Sequence, residues 1–251
     1  MQSIDNESVD LICCDLPYEV LHKNNPNAQW DRMIPMDKLW EQYERIIKPN
    51  GAIVLFGQGI FSARLILSNE KLYRYTLIWD KGRCTGFLNA NRMPLRCHED
   101  IMVFYKSLPK YNPQMEKGVP SHPQGNGVHK NTNNCYGEHK VGRAYDYDKG
   151  IKKVAPTRPD EKFPQSIIRI KKEHERIVQH PTQKPVELIR YLIRTYSDEG
   201  DLVLDNTCGS GTTAIAAIRE KRQWICIEKD DHYYEVAKKR IEDEQGQLTL
   251  F

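Results

Sequence analysis

No stretch of the chain approaches the roughly 18 consecutive apolar residues that a membrane-spanning helix needs, which excludes a transmembrane span. The opening MQSIDNESVD is polar and acidic and lacks the basic-then-apolar order of a secretory signal. There is no Gly-Lys-Ser/Thr and no full Gly-x-Gly-x-x-Gly, so the usual phosphate-gripping loops are absent. The seven cysteines (Cys13, Cys14, Cys84, Cys97, Cys135, Cys208 and Cys226) are odd in number and scattered, which predicts reduced thiols in a cytoplasmic chain rather than a disulfide scaffold. Cys135 and His139, with His122 and His129 upstream, lack the tight pairing of zinc ligands, so no metal site is expected. Net charge is only +3, too little by itself to mark a nucleic-acid binder.

The 251 residues are 39% apolar and 28% charged, enough to bury one large core or a core carrying an insert. The charge is unevenly spread. Residues 107–176 hold 14 Lys/Arg against 8 Asp/Glu, whereas the rest holds 23 against 26. That stretch also carries 7 of the 14 prolines and has little apolar periodicity, which predicts a loop-rich basic insert. Tyr111, Tyr136, Tyr145 and Tyr147 lie among its cations, where aromatic rings can pack or stack on bases.

Apolar patterning predicts strands at Val9–Cys14, Ala52–Phe56, Tyr75–Trp79, Ile101–Tyr105, Leu202–Leu204 and Trp224–Ile227. Helical spacing is found in Met36–Ile47, Gly59–Ser68, Pro185–Tyr196, Gly211–Glu220 and His232–Glu244, and Asp80–Asp100 reads as a polar loop. Strands alternating with helices predict an α/β domain, a parallel sheet with helices on both faces.

Two turns carry chemistry. The first is Asp201–Thr213, DLVLDNTCGSGTT, in which a buried strand ends at Asp205 and glycines precede a helix. Glycines there let a ligand approach the backbone closely and face the helix amino end. About twenty residues on, the next strand ends at Glu228, where a carboxylate is placed to accept hydrogen bonds from ribose hydroxyls. The spacing fits a nucleoside cofactor. The second turn, Asp15-Leu16-Pro17-Tyr18, also follows a buried strand. In an exocyclic amine such as adenine N6 the lone pair is delocalised into the ring. A carboxylate (Asp15) and a backbone carbonyl (Leu16) accepting its two N–H bonds would favour the nucleophilic form. Tyr18 offers a ring to the base, and Pro17 stiffens the turn.

These motifs, in this order, resemble the amino-group DNA methyltransferases of the beta arrangement, in which an Asp/Ser-Pro-Pro-Tyr motif comes first, a target-recognition region follows, and the cofactor motif comes last. The resemblance spans nearly the whole chain and also rests on WDK (Trp79–Lys81), PLRCHED (Pro94–Asp100) and HPTQKP (His180–Pro185). It implies a Rossmann-like sheet and S-adenosylmethionine as cofactor. The cofactor site would be lined by Asp205, Gly209, Ser210, Gly211 and Glu228, with Thr207, Cys208 and Thr212 of the same turn, and Thr182, Gln183 and Lys184 near the methionine end. It implies double-stranded DNA as partner and direct methyl transfer to a flipped-out adenine N6, with Asp15, Leu16, Pro17 and Tyr18 catalytic. Leu16 replaces the usual first proline but keeps the carbonyl. Asp rather than Ser at position 15 leans toward adenine N6 over cytosine N4. Cytosine-C5 chemistry is disfavoured because no Pro-Cys dipeptide occurs. A catalytically silent DNA-binding protein is the alternative of another class.

The resemblance divides the chain into a catalytic half (1–106), a recognition insert (107–176), a cofactor-binding half (177–245) and a tail (246–251). It also implies a bacterial or phage-infected cell near the nucleoid, and a monomer or homodimer. The family pattern usually places a further strand with a Gly-Asp ending ahead of Met1–Asp10, so the chain is expected to start late. The final Gln247-Leu248-Thr249-Leu250-Phe251 resembles the peptide by which bacterial replication proteins bind the ring-shaped sliding clamp.

Overall fold

The computed structural model describes residues 1–20, 30–118, 160–173 and 179–248. The chain divides into two compact units, 1–112 with 165–251, and 113–164. In the smaller unit the described residues form a short antiparallel ladder, β5 (Glu116–Lys117) with β6 (Glu161–Lys162), closed by a Lys162–Glu116 ion pair of 3.0 Å.

The larger unit is a seven-stranded sheet. Its strands are β1 (Val9–Cys14), β2 (Ile47–Gly57), β3 (Tyr73–Thr85), β4 (Arg96–Phe104), β7 (Ile167–Arg169), β8 (Leu202–Asp205) and β9 (Gln223–Cys226), in the order β7-β3-β4-β2-β1-β8-β9. Alternate residues of the central strands face opposite ways. Leu11, Cys13, Ala52, Val54 and Phe56 pack under α3 (Val186–Tyr196) and α4 (Thr212–Arg219). Ile12, Cys14, Ile53 and Leu55 pack under α1 (Met36–Ile46) and α2 (Ile60–Ser68). Burial on both faces is why VDLICC and AIVLF read as continuous apolar runs. α1 shows how a helix is seated: Leu39, Trp40, Tyr43 and Ile46 recur at helical spacing and are all buried, each burial stabilising by about 1.5–3 kcal/mol.

The α/β fold with helices on both faces is as expected, but three readings need correction. The sheet is mixed rather than parallel, because β4 runs antiparallel to both β2 and β3. An apolar run carries no direction, whereas the short β3–β4 connection imposes a hairpin. Asp80–Asp100 is not mainly loop: β3 and β4 extend through it and leave only 86–95 as a tip. These strand ends are exposed, so backbone pairing holds them with no apolar signal to read. Cys84 and Cys97, expected as free thiols, form a disulfide, since the hairpin sets them across from each other. In addition, Ile167–Arg169, inside the basic stretch, pairs parallel with β3 in the main sheet. Cys135, His139, His122, His129, Tyr136, Tyr145 and Tyr147, and the last three residues, lie outside the described residues.

Candidate active site

From β1 the chain moves to β2 on one side, while β8 and β9 (followed by α5, Asp231–Leu248) lie on the other. The strand order therefore reverses between β1 and β8, the place where open α/β sheets bind ligands at their carboxyl ends. β1 and β8 are parallel neighbours, with Leu11 opposite Val203 and Ile12 opposite Leu204. The turns that follow β1 and β8 therefore leave the sheet side by side. The two turns are tied together, since the Thr207 hydroxyl donates to the Asp15 carbonyl at 3.1 Å. Behind them the Asn206 side-chain oxygen accepts from Cys14 Sγ at 3.1 Å and from the Tyr43 hydroxyl.

Asp15 sits at the end of a buried chain of alternating charges. Its Oδ1 accepts from the Tyr18 hydroxyl at 2.9 Å, and its Oδ2 pairs with the Lys184 ammonium. Lys184 Nζ also lies 3.3 Å from Glu99 Oε2, and Glu99 Oε1 lies 3.2 Å from Lys81 Nζ. WDK, PLRCHED, HPTQKP and DLPY thus each contribute one member, in the order Lys81, Glu99, Lys184, Asp15. The four charges balance, which makes their burial tolerable. Burial pushes the Asp15 carboxyl upward against the pull of Lys184. Burial also opposes ionisation of Glu99, but Lys184 and Lys81 outweigh it and hold that carboxyl low. Lys184 is raised, as its two carboxylates overcome its desolvation. Glu99 Oε2 is buried and has no hydrogen-bond partner.

Leu16 is buried, and Tyr18 stacks one ring face on Phe61 at 4.5 Å and 27°. Tyr18 is therefore braced by Phe61 and by Asp15, not a freely presented ring. Asp31 fixes the chain beyond it by accepting the backbone N–H groups of Glu19 (3.0 Å) and Val20 (2.7 Å).

The glycine turn is shaped by close packing. Gly211 has φ +79°, and a Cβ there would sit 3.1 Å from Ala237 Cβ on α5. Gly209 has φ +52° and lies against the His180 ring. The Gly209 N–H donates to Glu228 Oε2 at 2.8 Å, while Glu228 Oε1 accepts the N–H groups of Lys229 and Asp230 at 2.9 Å. Glu228 and the turn, separate in sequence, thus form one unit. Asp205 accepts from the Thr207 N–H at 3.0 Å and from the Thr213 hydroxyl at 2.6 Å. Burial nevertheless pushes its carboxyl up to about 6. Cys208 donates its N–H to the Ile227 carbonyl. Thr212 Oγ1, at the start of α4, is buried with no partner.

His180–Pro185 closes one wall. Gln183 Oε1 accepts from the Ser210 hydroxyl at 2.7 Å, and Thr182 bonds back to His180 Nδ1 at 3.1 Å. Lys184, expected near the methionine end of the cofactor, pairs with Asp15 and Glu99 in the charge chain. His180 lies between Trp30 (4.8 Å) and Tyr233 (4.2 Å) and, with burial and Lys184 lowering it to about 4, is neutral. Sequence reading gave no role to Lys81, Glu99, Trp30, Phe61 or Tyr233. The available signal for the first two was their place in WDK and PLRCHED, at the borders of apolar runs.

The profile of a family described as DNA methylase (N6/N4) matches residues 9–239. The chain is 26% identical over 250 residues to the type II methyltransferase M.HpaI of Haemophilus parainfluenzae, covering 97% of this chain and 71% of that protein. It is 26% identical over 255 residues to the DNA adenine methyltransferase YhdJ of Escherichia coli (strain K12), covering 96% and 79%. Among solved structures, the M1.HpyAVI–SAM complex superimposes with a TM-score of 0.59 at 21% identity, covering 96% of this chain and 90% of that one. The cytosine-N4-specific PvuII DNA methyltransferase does so with a TM-score of 0.62 at 16% identity, covering 98% and 87%.

Proposed function

Because this chain belongs to the N6/N4 DNA methylase family, we propose that it transfers a methyl group from S-adenosylmethionine to adenine N6 in double-stranded DNA. The observation carrying this reading is the Thr207–Asp15 hydrogen bond, which joins an amine-accepting turn to a nucleoside-type glycine turn. An aspartate at position 15 favours adenine, and YhdJ is a DNA adenine methyltransferase by name. The PvuII enzyme, specific for cytosine N4, shares the fold and supports that amine as the second reading. The test is to incubate the purified chain with DNA and labelled S-adenosylmethionine, digest the DNA and identify the nucleoside. N6-methyladenine is the expected product; N4-methylcytosine would select the second reading, and an unlabelled digest would leave a silent DNA-binding protein.

The residues present fit the cofactor. Gly209 and Gly211 hold the positive-φ backbone of the turn, and Thr212 Oγ1 is a buried polar atom without a partner. Glu228 has an acceptor site left beyond its backbone N–H groups for a ribose hydroxyl, and Asp205 provides negative charge for a cation. When bound, S-adenosylmethionine supplies a methyl on a positively charged sulfur, so the protein's part is positioning and electrostatics. Affinity for it should depend on Asp205. Above about pH 6 that carboxyl is ionised and attracts a cation; below, it is neutral. Calorimetric titration should therefore show affinity falling as pH drops from 7 to 5 and flat above 7. An Asp205→Asn variant should lose the dependence.

On the reacting side, Asp15 and the Leu16 carbonyl accept the two N–H bonds of the extruded amine. Both Asp15 oxygens are already engaged, so Lys184 must yield one of them. Glu99 Oε2, 3.3 Å from Lys184 and without a hydrogen bond, is the acceptor to which its ammonium turns. Transfer would break the methyl's bond to sulfur, its electron pair leaving on a neutral thioether, as the N–C bond forms; the amine then sheds a proton, and Asp15 is the base hydrogen-bonded to it. Base extrusion costs a few kcal/mol. The basic stretch 107–176 offsets that cost through phosphate contacts and carries sequence readout. The tail Gln247–Phe251 docks the sliding clamp. Purified clamp should retain the full chain and not a chain lacking 247–251; equal retention would end that idea.

A further inference from the structure

The outer part of the β3–β4 hairpin, beyond Lys81 and before Glu99, is used by none of the chemistry above, yet its surface is unusual. Between Gly82 and Cys97 the chain reads GRCTGFLNANRMPLRC, with three exposed arginines and no carboxylate. Its tip holds a 3-10 turn, Phe87–Asn89, that puts apolar side chains into solvent: Phe87 is 79% exposed, Leu88 99% and Met93 53%. Isolated exposed apolar residues are common, but two adjacent ones at a protruding tip mark a contact surface. The tip is also held in shape. The Cys84–Cys97 disulfide and the Thr85–Arg96 pairing close its base, and backbone bonds from Asn89 to Gly86 and from Arg92 and Met93 to Asn89 brace the turn.

Topology aims it. β3 is antiparallel to β4, β4 to β2, and β2 is parallel to β1, so β3 leaves the sheet at the same end as Asp15. At about 3.3 Å per residue, Arg96 stands about 10 Å beyond Glu99, which belongs to the Asp15 charge chain. Beside the hairpin, exposed Arg169 of β7 lies 3.8 Å from the Asp80 carboxylate, and exposed Lys171 follows it.

We propose that this hairpin is a second DNA-contacting element. Its arginines bind phosphates flanking the target, and Phe87 and Leu88 press against the bases beside the extruded nucleotide. The occupant follows from charge: a tip with cations around an apolar pair and no acids suits a polyanion with flat apolar surfaces. The inference rests on the DNA methyltransferase reading.

The test uses the full chain with two double variants, Phe87→Ser with Leu88→Ser, and Arg83→Gln with Arg92→Gln. Affinity for a random-sequence duplex is measured by fluorescence anisotropy across salt concentrations. S-adenosylmethionine affinity, Tm and methyl incorporation are measured on the same samples. The arginine variant should bind duplex more weakly and flatten the slope of log affinity against log salt by about 2. The apolar variant should lose about tenfold in affinity with the slope unchanged. Both should keep Tm and cofactor affinity. Wild-type duplex affinity in both variants overturns the proposal. So does conversion of a dimer to a monomer at constant DNA affinity, which would give the surface to a second copy of the chain. Failure of the wild-type chain itself to methylate DNA would instead count against the underlying reading, so the two failures are separable.

Discussion

Asp15→Ala should reduce methyl transfer at least a thousandfold while S-adenosylmethionine still binds. Asp15 is the charged half of the two-acceptor grip, and loss of one preorganised polar group at a reacting centre typically costs 10²- to 10³-fold, roughly, before positioning is counted. Two features keep the variant interpretable. Lys184 retains Glu99 as a counter-ion at 3.3 Å, so removing Asp15 does not strand a buried ammonium. The glycine turn also has its own anchors, Gly209 to Glu228 and Asp205 to Thr207 and Thr213, none of which involves the Asp15 side chain. Asp15→Asn, which keeps the shape and removes the charge, should lie between, with at least a hundredfold loss in kcat. Single-turnover methylation and calorimetry on the same preparations check this. Loss of cofactor binding with an unchanged Tm would mean Asp15 serves the cofactor rather than the amine.

The sheet's central strands and the helices over them were legible because burial on both faces writes itself as apolar runs and helical spacing. Val9–Cys14, Met36–Ile46 and Val186–Tyr196 fall within a residue of the sequence reading. The outer half of the β3–β4 hairpin was not, since its residues are exposed and its strands are made by backbone pairing. Strand direction was likewise unreadable, and β4 is the case where that mattered. In the site, Asp15, Gly209, Gly211 and Glu228 stood out because each ends a strand or shapes a turn. Lys81 and Glu99 were visible as residues of short motifs, but their meaning is a three-dimensional fact. Each sits on a different strand, and only the sheet order brings them to Lys184, more than 80 residues further along.

That convergence gives the second large effect. In Glu99→Gln the ammonium of Lys184 has one carboxylate left and should stay on Asp15, which keeps the amine out. The maximal rate at saturating cofactor should fall on the order of 10- to 100-fold, as expected for a misplaced reacting group. The pH profile distinguishes this from a merely structural loss. Transfer needs ionised Asp15, so the rate rises with pH through its pKa. Glu99 is one of the charges that raises that pKa and Lys184 one that lowers it. Removing Glu99 while fixing Lys184 on Asp15 therefore lowers it, and the acid limb should move to lower pH even as the plateau drops. Glu99→Asp, which keeps the charge on a shorter arm, should recover part of the plateau and return the limb toward that of the unmodified chain. A lowered plateau with an unmoved limb and no recovery in the aspartate variant would reduce Glu99 to a packing role. An undiminished rate in Glu99→Gln would show that Lys184 can leave Asp15 without it.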